Sequence, residues 1–194
     1  MKRTASLERK TAETSIRLHL DLDGEGTCDI TTGIGFFDHM LSHIGKHGGL
    51  TFSLQAKGDL HVDEHHLVED VGICLGKAIN DAVGDKRGIE RFGSAFVTMD
   101  EAMARTIIDL SGRSYLVFDA EFSRESINGF PLEMVRDFFR AVATEGRMNL
   151  HVTLLYGNNA HHQVEAIFKS FGRALRAAVR KTGSDAIPST KGTL

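Results

Sequence analysis

The sequence predicts an α+β fold made of two half-domains of like design, and three observations predict it. Apolar and polar residues alternate in several short runs, the period of half-buried strands. Between those runs lie stretches whose apolar residues recur at helical spacing. One helical stretch, His65 to Val83, returns near the C-terminus as His161 to Val179. Setting His65 on His161 puts Glu69 on Glu165, Gly76 on Gly172, Ala78 on Ala174 and Ala82 on Ala178. An HHxxE cluster and a glycine-alanine pattern repeating together point to internal duplication. The halves are 1–90 and 91–194, with mixed sheets and helices packed around a shared core.

From Arg9 to Asp23, Ile16, Leu18, Leu20 and Leu22 alternate with Arg17, His19 and Asp21, which predicts a strand. Gly24 and Gly26 turn the chain into a second strand, Thr27 to Thr32. Gly33 and Gly35 end that strand. Phe36, Phe37, Met40, Leu41 and Ile44 then recur at helical spacing until Gly48-Gly49 closes the helix. Leu50 to Ala56 alternates again, Lys57-Gly58-Asp59 turns, and the histidine-bearing helix runs to about Gly84. The second half follows the same grammar. Phe96 to Met99, Ala104 to Leu110 and Tyr115 to Phe122 read as strands, and Glu125 to Gly129 as a loop. Leu132 to Thr144 reads as a helix and Leu150 to Leu154 as a strand. The second histidine-bearing helix is expected to end near Gly183, before a polar tail.

A chain of 194 residues can bury a real core, and its composition (41% apolar, 25% charged) is that of an ordinary soluble protein. A net charge of −3 without a basic run argues against nucleic acid as a partner. The polar start, MKRTASLERKTAET, carries no signal peptide, and no apolar stretch is long enough to span a bilayer. Cys28 and Cys74 lack metal-type spacing, which fits a reducing cytoplasm. Histidine is the outlier: there are ten, most of them clustered.

On the first histidine-bearing helix, Leu67, Val71, Cys74, Leu75, Ala78, Ile79 and Ala82 share one face. His65 and Glu69 lie nearly opposite, and His66 is rotated by roughly 100°. The histidines are therefore expected to face away from their own helix's core. His65 and Glu69 can serve one metal while His66 serves another, and His161, Glu165 and His162 repeat the arrangement. Imidazole and carboxylate donors without thiolate suit six-coordinate Mn or Fe as well as tetrahedral Zn. His39 in FFDHM adds a ligand, and Asp137 in VRDFF sits about where His39 sits. With them the candidates number eight, four for each of two metals. Outward-facing clusters invite completion across a subunit interface. A non-catalytic metal-binding or storage oligomer is the rival reading, and cations for a substrate phosphate beside open coordination positions would tell the two apart. Lys169, one turn beyond Glu165, is such a cation.

The stretches GIGFFDHML, DLHVDEHHLVED, GDKRGI, NNAHHQVEAIFK and PSTKG resemble the imidazoleglycerol-phosphate dehydratase family over nearly the whole chain. The resemblance implies a duplicated fold of the ribosomal protein S5 domain 2-like type. It implies a Mn2+-dependent hydro-lyase of histidine biosynthesis, with two ions per subunit, in a homo-oligomer of 24 subunits. The substrate would be D-erythro-imidazole glycerol phosphate, and the products imidazole acetol phosphate and water. Many members of that family carry His where this chain has Asp137.

In that reaction a proton leaves carbon and needs an electron sink, which a metal-bound imidazole supplies as an imidazolate-like intermediate. Glu13, in the KTAET stretch similar to the family's N-terminal motif, is the expected base. His47 and Asp100 are further candidates for base, acid or positioning. The resemblance also implies a phosphate site of Arg91, Arg113, Lys169, Ser189 and Lys191, and arginine's fork suits that dianion.

Overall fold

The computed structural model describes residues 2–194. The chain opens with a hairpin, β1 (Thr4–Lys10) against β2 (Thr14–Asp21), paired antiparallel from Thr4 opposite Asp21 to Lys10 opposite Ser15. At its tip the Thr11 hydroxyl accepts the amides of Glu13 and Thr14 at 3.1 and 2.9 Å, a side-chain turn that presents Glu13 to solvent. The first strand is absent from the sequence-based expectation. Only Ala5 on it is buried, so its alternation carries little apolar signal. β3 (Cys28–Thr31), α1 (Gly35–Gly48) and β4 (Thr51–Gly58) follow. β3 runs parallel to β4, which requires the crossover that α1 supplies. α2 (His65–Val83) completes the first half.

The second half repeats the plan. β5 (Phe92–Met99) and β6 (Ala102–Asp109) form a hairpin whose two-residue tip is Asp100-Glu101, with Asp100 at φ +46°. β7 (Tyr115–Asp119) is shorter than expected. The stretch expected as a loop carries a small hairpin, β8 (Ser126–Ile127) with β9 (Phe130–Pro131). α3 (Glu133–Glu145), β10 (Asn149–Tyr156) and α4 (Ala160–Ala178) follow. The two large sheets have the same order, β1-β2-β4-β3 and β5-β6-β10-β7, each with three antiparallel strands and one parallel edge. α4 stops at Ala178, short of Gly183. The chain beyond it pairs with residues 88–91 instead: the Arg91 amide donates to the Ala178 carbonyl and the Glu90 amide to that of Arg180, both at 2.9 Å.

α2 lies on β1 and β2, and α4 on β5 and β6, while α1 packs against α4 and α3 against α2. Each half therefore completes its core with a helix of the other half. Phe37, Phe138, Phe139, Phe168 and Phe171 join at the centre, with neighbouring ring centroids 5.0 to 5.5 Å apart. Both helix pairs cross at glycine. A Cβ on Gly172 would lie 2.7 Å from the Ile44 carbonyl and 3.1 Å from the Gly48 nitrogen; one on Gly76 would lie 2.6 Å from the Val142 carbonyl and 2.8 Å from the Gly146 nitrogen. The two crossings are equivalent, so Ile44 matches Val142 and Gly48 matches Gly146. The same interval separates His39 from Asp137. Gly172→Ala is expected to push α1 off α4 and to destabilise the fold by about 1–3 kcal/mol, read as a lower urea midpoint. An unchanged midpoint would show that the crossing is loose.

Candidate metal centre

The glycine crossing sets two polar stripes face to face. On α1, His39, His43 and His47 follow at i, i+4 and i+8; on α4, His161, Glu165 and Lys169 do the same. Glu165 is the hub. Its Oε2 lies 3.1 Å from His161 Nε2 and 3.4 Å from Nε2 of both His39 and His43. Its other oxygen pairs with Lys169. The donor atoms of His39, His43 and Glu165 all lie within 4.8 Å of one another. The expectation that Glu165 looks outward needs correcting: it is only 5% exposed, because α1 covers the side of α4 that turns away from the sheet.

The protonation states suit a cation. Burial pushes the Glu165 carboxyl up, but the Lys169 hydrogen bond and the histidines outweigh it and hold the pKa at about 2. Burial pushes His43 down to about 4, against the pull of Glu165. At neutral pH this gives an ionised carboxylate beside a neutral imidazole with a free lone pair, the form in which both bind metal. The donor set therefore fits a divalent ion. His43 is the member that the sequence reading missed. Its signal was the i, i+4, i+8 histidine stripe in HMLSHIGKH.

The matching place between α2 and α3 is built differently. Arg140 donates to Glu69 at 3.5 Å and also pairs with Asp137 at 3.1 Å. Ala141 occupies the position equivalent to His43. Two carboxylates and a guanidinium meet there, with His65 half-buried at the start of α2.

The second histidine of each pair turns aside, toward a hairpin tip. His162 Nδ1 lies 2.7 Å from Glu101, and its Nε2 lies 3.9 Å from Asp100. His66 Nδ1 lies 3.0 Å from Asp59, and its Nε2 lies 3.9 Å from Glu13. Local structure fixes both helix starts. The Asn159 side chain accepts the amides of His161 and His162, and Asp63 accepts the amide of His65 at 2.9 Å. Asp59 and Glu101 carried no signal in the sequence.

His47 sits one turn beyond His43, ring centroids 5.5 Å apart, and burial with the nearby Lys169 and Arg173 lowers its pKa. Lys169 stays with Glu165 and touches Met99 Sδ at 3.4 Å. The other expected phosphate ligands lie elsewhere. Arg91 forks onto Asp109 at 2.6 and 3.1 Å and donates to the Pro188 carbonyl at 2.9 Å. Arg113 is exposed, and the Ser189 hydroxyl accepts the amide of Lys191 at 3.2 Å.

Fold and donor set together define a class: an internally duplicated α+β protein with a group able to hold a divalent metal. The relatives narrow it. The family model for imidazoleglycerol-phosphate dehydratase matches residues 32–175, and the chain belongs to that family. It is 55% identical to the imidazoleglycerol-phosphate dehydratase of Lacticaseibacillus casei, over 99% of this chain and 100% of the relative. It is 56% identical to that of Acidiphilium cryptum over the full length of both. The crystal structure of the Staphylococcus aureus dehydratase matches with a TM-score of 0.84 at 38% identity, covering 92% of this chain and 99% of that one. The Pyrococcus furiosus enzyme in complex with (S)-C348 matches with a TM-score of 0.85 at 34% identity, covering 97% and 100%.

Proposed function

We propose that the protein dehydrates D-erythro-imidazole glycerol phosphate to imidazole acetol phosphate, the hydro-lyase step of histidine biosynthesis. One observation carries this reading to the residues: Glu165 gathers His39, His43, His161 and Lys169 around one buried carboxylate. In the proposal two divalent ions bind per subunit, Mn2+ first and other transition metals as substitutes. His39, His65, His66, Glu69, Asp137, His161, His162 and Glu165 hold them, with His43 added from the geometry. A bound ion would act as a Lewis acid toward the substrate's imidazole and so favour loss of the neighbouring C–H proton.

The rest is work for side chains. Glu13, 52% exposed at its hairpin tip, takes the C–H proton. Asp100, 74% exposed on the matching tip, and His47 are the groups proposed to protonate the departing hydroxyl or to position the diol. Lys169 neutralises Glu165 and is one of the proposed phosphate ligands. Arg91, Arg113, Ser189 and Lys191 take the phosphate.

Those phosphate ligands support an assembly. Arg91 and Pro188 sit at the C-terminal end of α4, and His161 at its start. At 1.5 Å per residue these ends are about 25 Å apart, whereas the substrate spans roughly 8 Å. Within one chain only Lys169 of these ligands lies close to the metal cluster, so Arg91 and the tail residues beside it serve a site that a neighbouring copy completes. The outer face of the second sheet leaves Phe92, Phe96, Tyr115 and Tyr156 more than half exposed, an apolar surface of the kind copies bury. We assign a homo-oligomer of 24 subunits with metal sites between chains, halves 1–90 and 91–194 as structural repeats, and a cytoplasmic location. Among the described residues no helix is long and apolar enough to cross a membrane.

The test supplies D-erythro-imidazole glycerol phosphate to metal-stripped protein with and without Mn2+ and follows the acetol phosphate. Product only with metal is expected, and no product at any loading would overturn the assignment. Chelation is also expected to shrink the assembly, because ligands are shared between chains. Light scattering that shows the full-size particle after complete metal removal would place all ligands within one subunit.

A further inference from the structure

We infer that Asp59 and Glu101 are positioning residues: each holds Nδ1 of one histidine, His66 or His162, and so leaves Nε2 as the nitrogen turned outward. The inference rests on the reading that these two histidines bind metal.

The geometry is the same in both halves, although the residues come from different places. Glu101 Oε2 meets His162 Nδ1 at 2.7 Å, while its Oε1 accepts the amides of Asn158 and Asn159 at 3.0 and 2.7 Å. Both oxygens are engaged, so Glu101 is tied to the loop that begins α4. Asp59, in the loop before α2, meets His66 Nδ1 at 3.0 and 3.3 Å. A carboxylate on Nδ1 fixes that nitrogen as the N–H donor and orients the ring. The lone pair is then on Nε2, the arrangement that carboxylate-backed metal histidines use.

The comparison also separates two carboxylates that the duplication makes equivalent. Glu13 immediately precedes β2, and Glu101 immediately precedes β6. In the second half the hairpin acid is committed to holding its histidine. In the first half Asp59 does that task, and Glu13 is left 3.9 Å from His66 Nε2, with its side chain in no hydrogen bond among the described residues. That division leaves Glu13 free for proton transfer and assigns Glu101 a fixed, supporting part.

The test measures Mn2+ affinity without substrate, from the electron paramagnetic resonance signal of free Mn2+, together with the thermal midpoint of the metal-free protein. Asp59→Ala and Glu101→Ala are expected to weaken Mn2+ binding about 10–100-fold. Asp59→Asn keeps an acceptor oxygen for Nδ1–H and should recover most of the loss, whereas Glu101→Gln has one oxygen for donors on both sides and should recover less. Asp59 is the cleaner probe, because among the described residues its side chain bonds only to His66, and the Asp59→Ala midpoint should stay at the wild-type value. His66→Ala and His162→Ala serve as controls. If they lose affinity while Asp59→Ala and Glu101→Ala bind as wild type, positioning is overturned and the metal reading stands. If the histidine variants also bind as wild type, the metal assignment itself fails, and the inference with it.

Discussion

Glu165→Ala is expected to weaken Mn2+ binding by on the order of 100-fold or more and to abolish turnover with it. The carboxylate is 5% exposed, and one of its oxygens faces three imidazoles. No other group in that cluster carries negative charge. Its loss also strands Lys169, which is only 14% exposed and has Glu165 as its ion-pair partner. Breaking a buried pair from one side costs about 3–5 kcal/mol, since the remaining charge stays desolvated. The metal-free variant should therefore unfold earlier in urea. Adding Lys169→Met should return most of that stability without restoring metal binding. A single variant with wild-type Mn2+ affinity would remove Glu165 from the centre.

Glu13→Gln is expected to separate chemistry from binding. The side chain stands at a hairpin tip held by Thr11, half exposed, and makes no hydrogen bond among the described residues. An amide keeps its size and polarity but accepts no proton. Turnover should fall about 10²–10⁴-fold, the usual worth of a positioned base, while Mn2+ affinity and KM stay within a few-fold of wild type. Steady-state kinetics at saturating Mn2+ decide it, and wild-type kcat would pass the role to another group.

Much of the fold was legible because duplication writes it twice. The HHxxE clusters, the glycine-alanine register after them and the alternation of Ile16 to Leu22 are local signals, and local signals survive in sequence. The exchange of helices between halves was not legible. It depends on Gly48 meeting Gly172 and Gly146 meeting Gly76, close approaches between segments far apart in the chain. That exchange explains both shortfalls at the site. Helical periodicity alone placed Glu165 opposite its own sheet, which is correct, but did not say that α1 covers it. The histidine stripe of α1 is visible in the sequence, but the part of His43 in it appears only once α1 faces α4. β1 is unreadable because an edge strand with one buried residue has almost no pattern. The Glu101 contact leaves no trace because it spans 61 residues, and the Asp59 contact because the turn before α2, not a helical or strand period, sets its seven-residue spacing.

Whether two metals are shared between chains is decided by a crystal structure of the Mn2+-loaded protein with anomalous scattering recorded at the manganese edge. Two anomalous peaks per subunit are expected, one beside Glu165 and one beside Glu69. Each would be ligated by residues of two chains, with His66 and His162 reaching across through Nε2. A single peak enclosed by His39, His43 and Glu165 of one chain would contradict that arrangement.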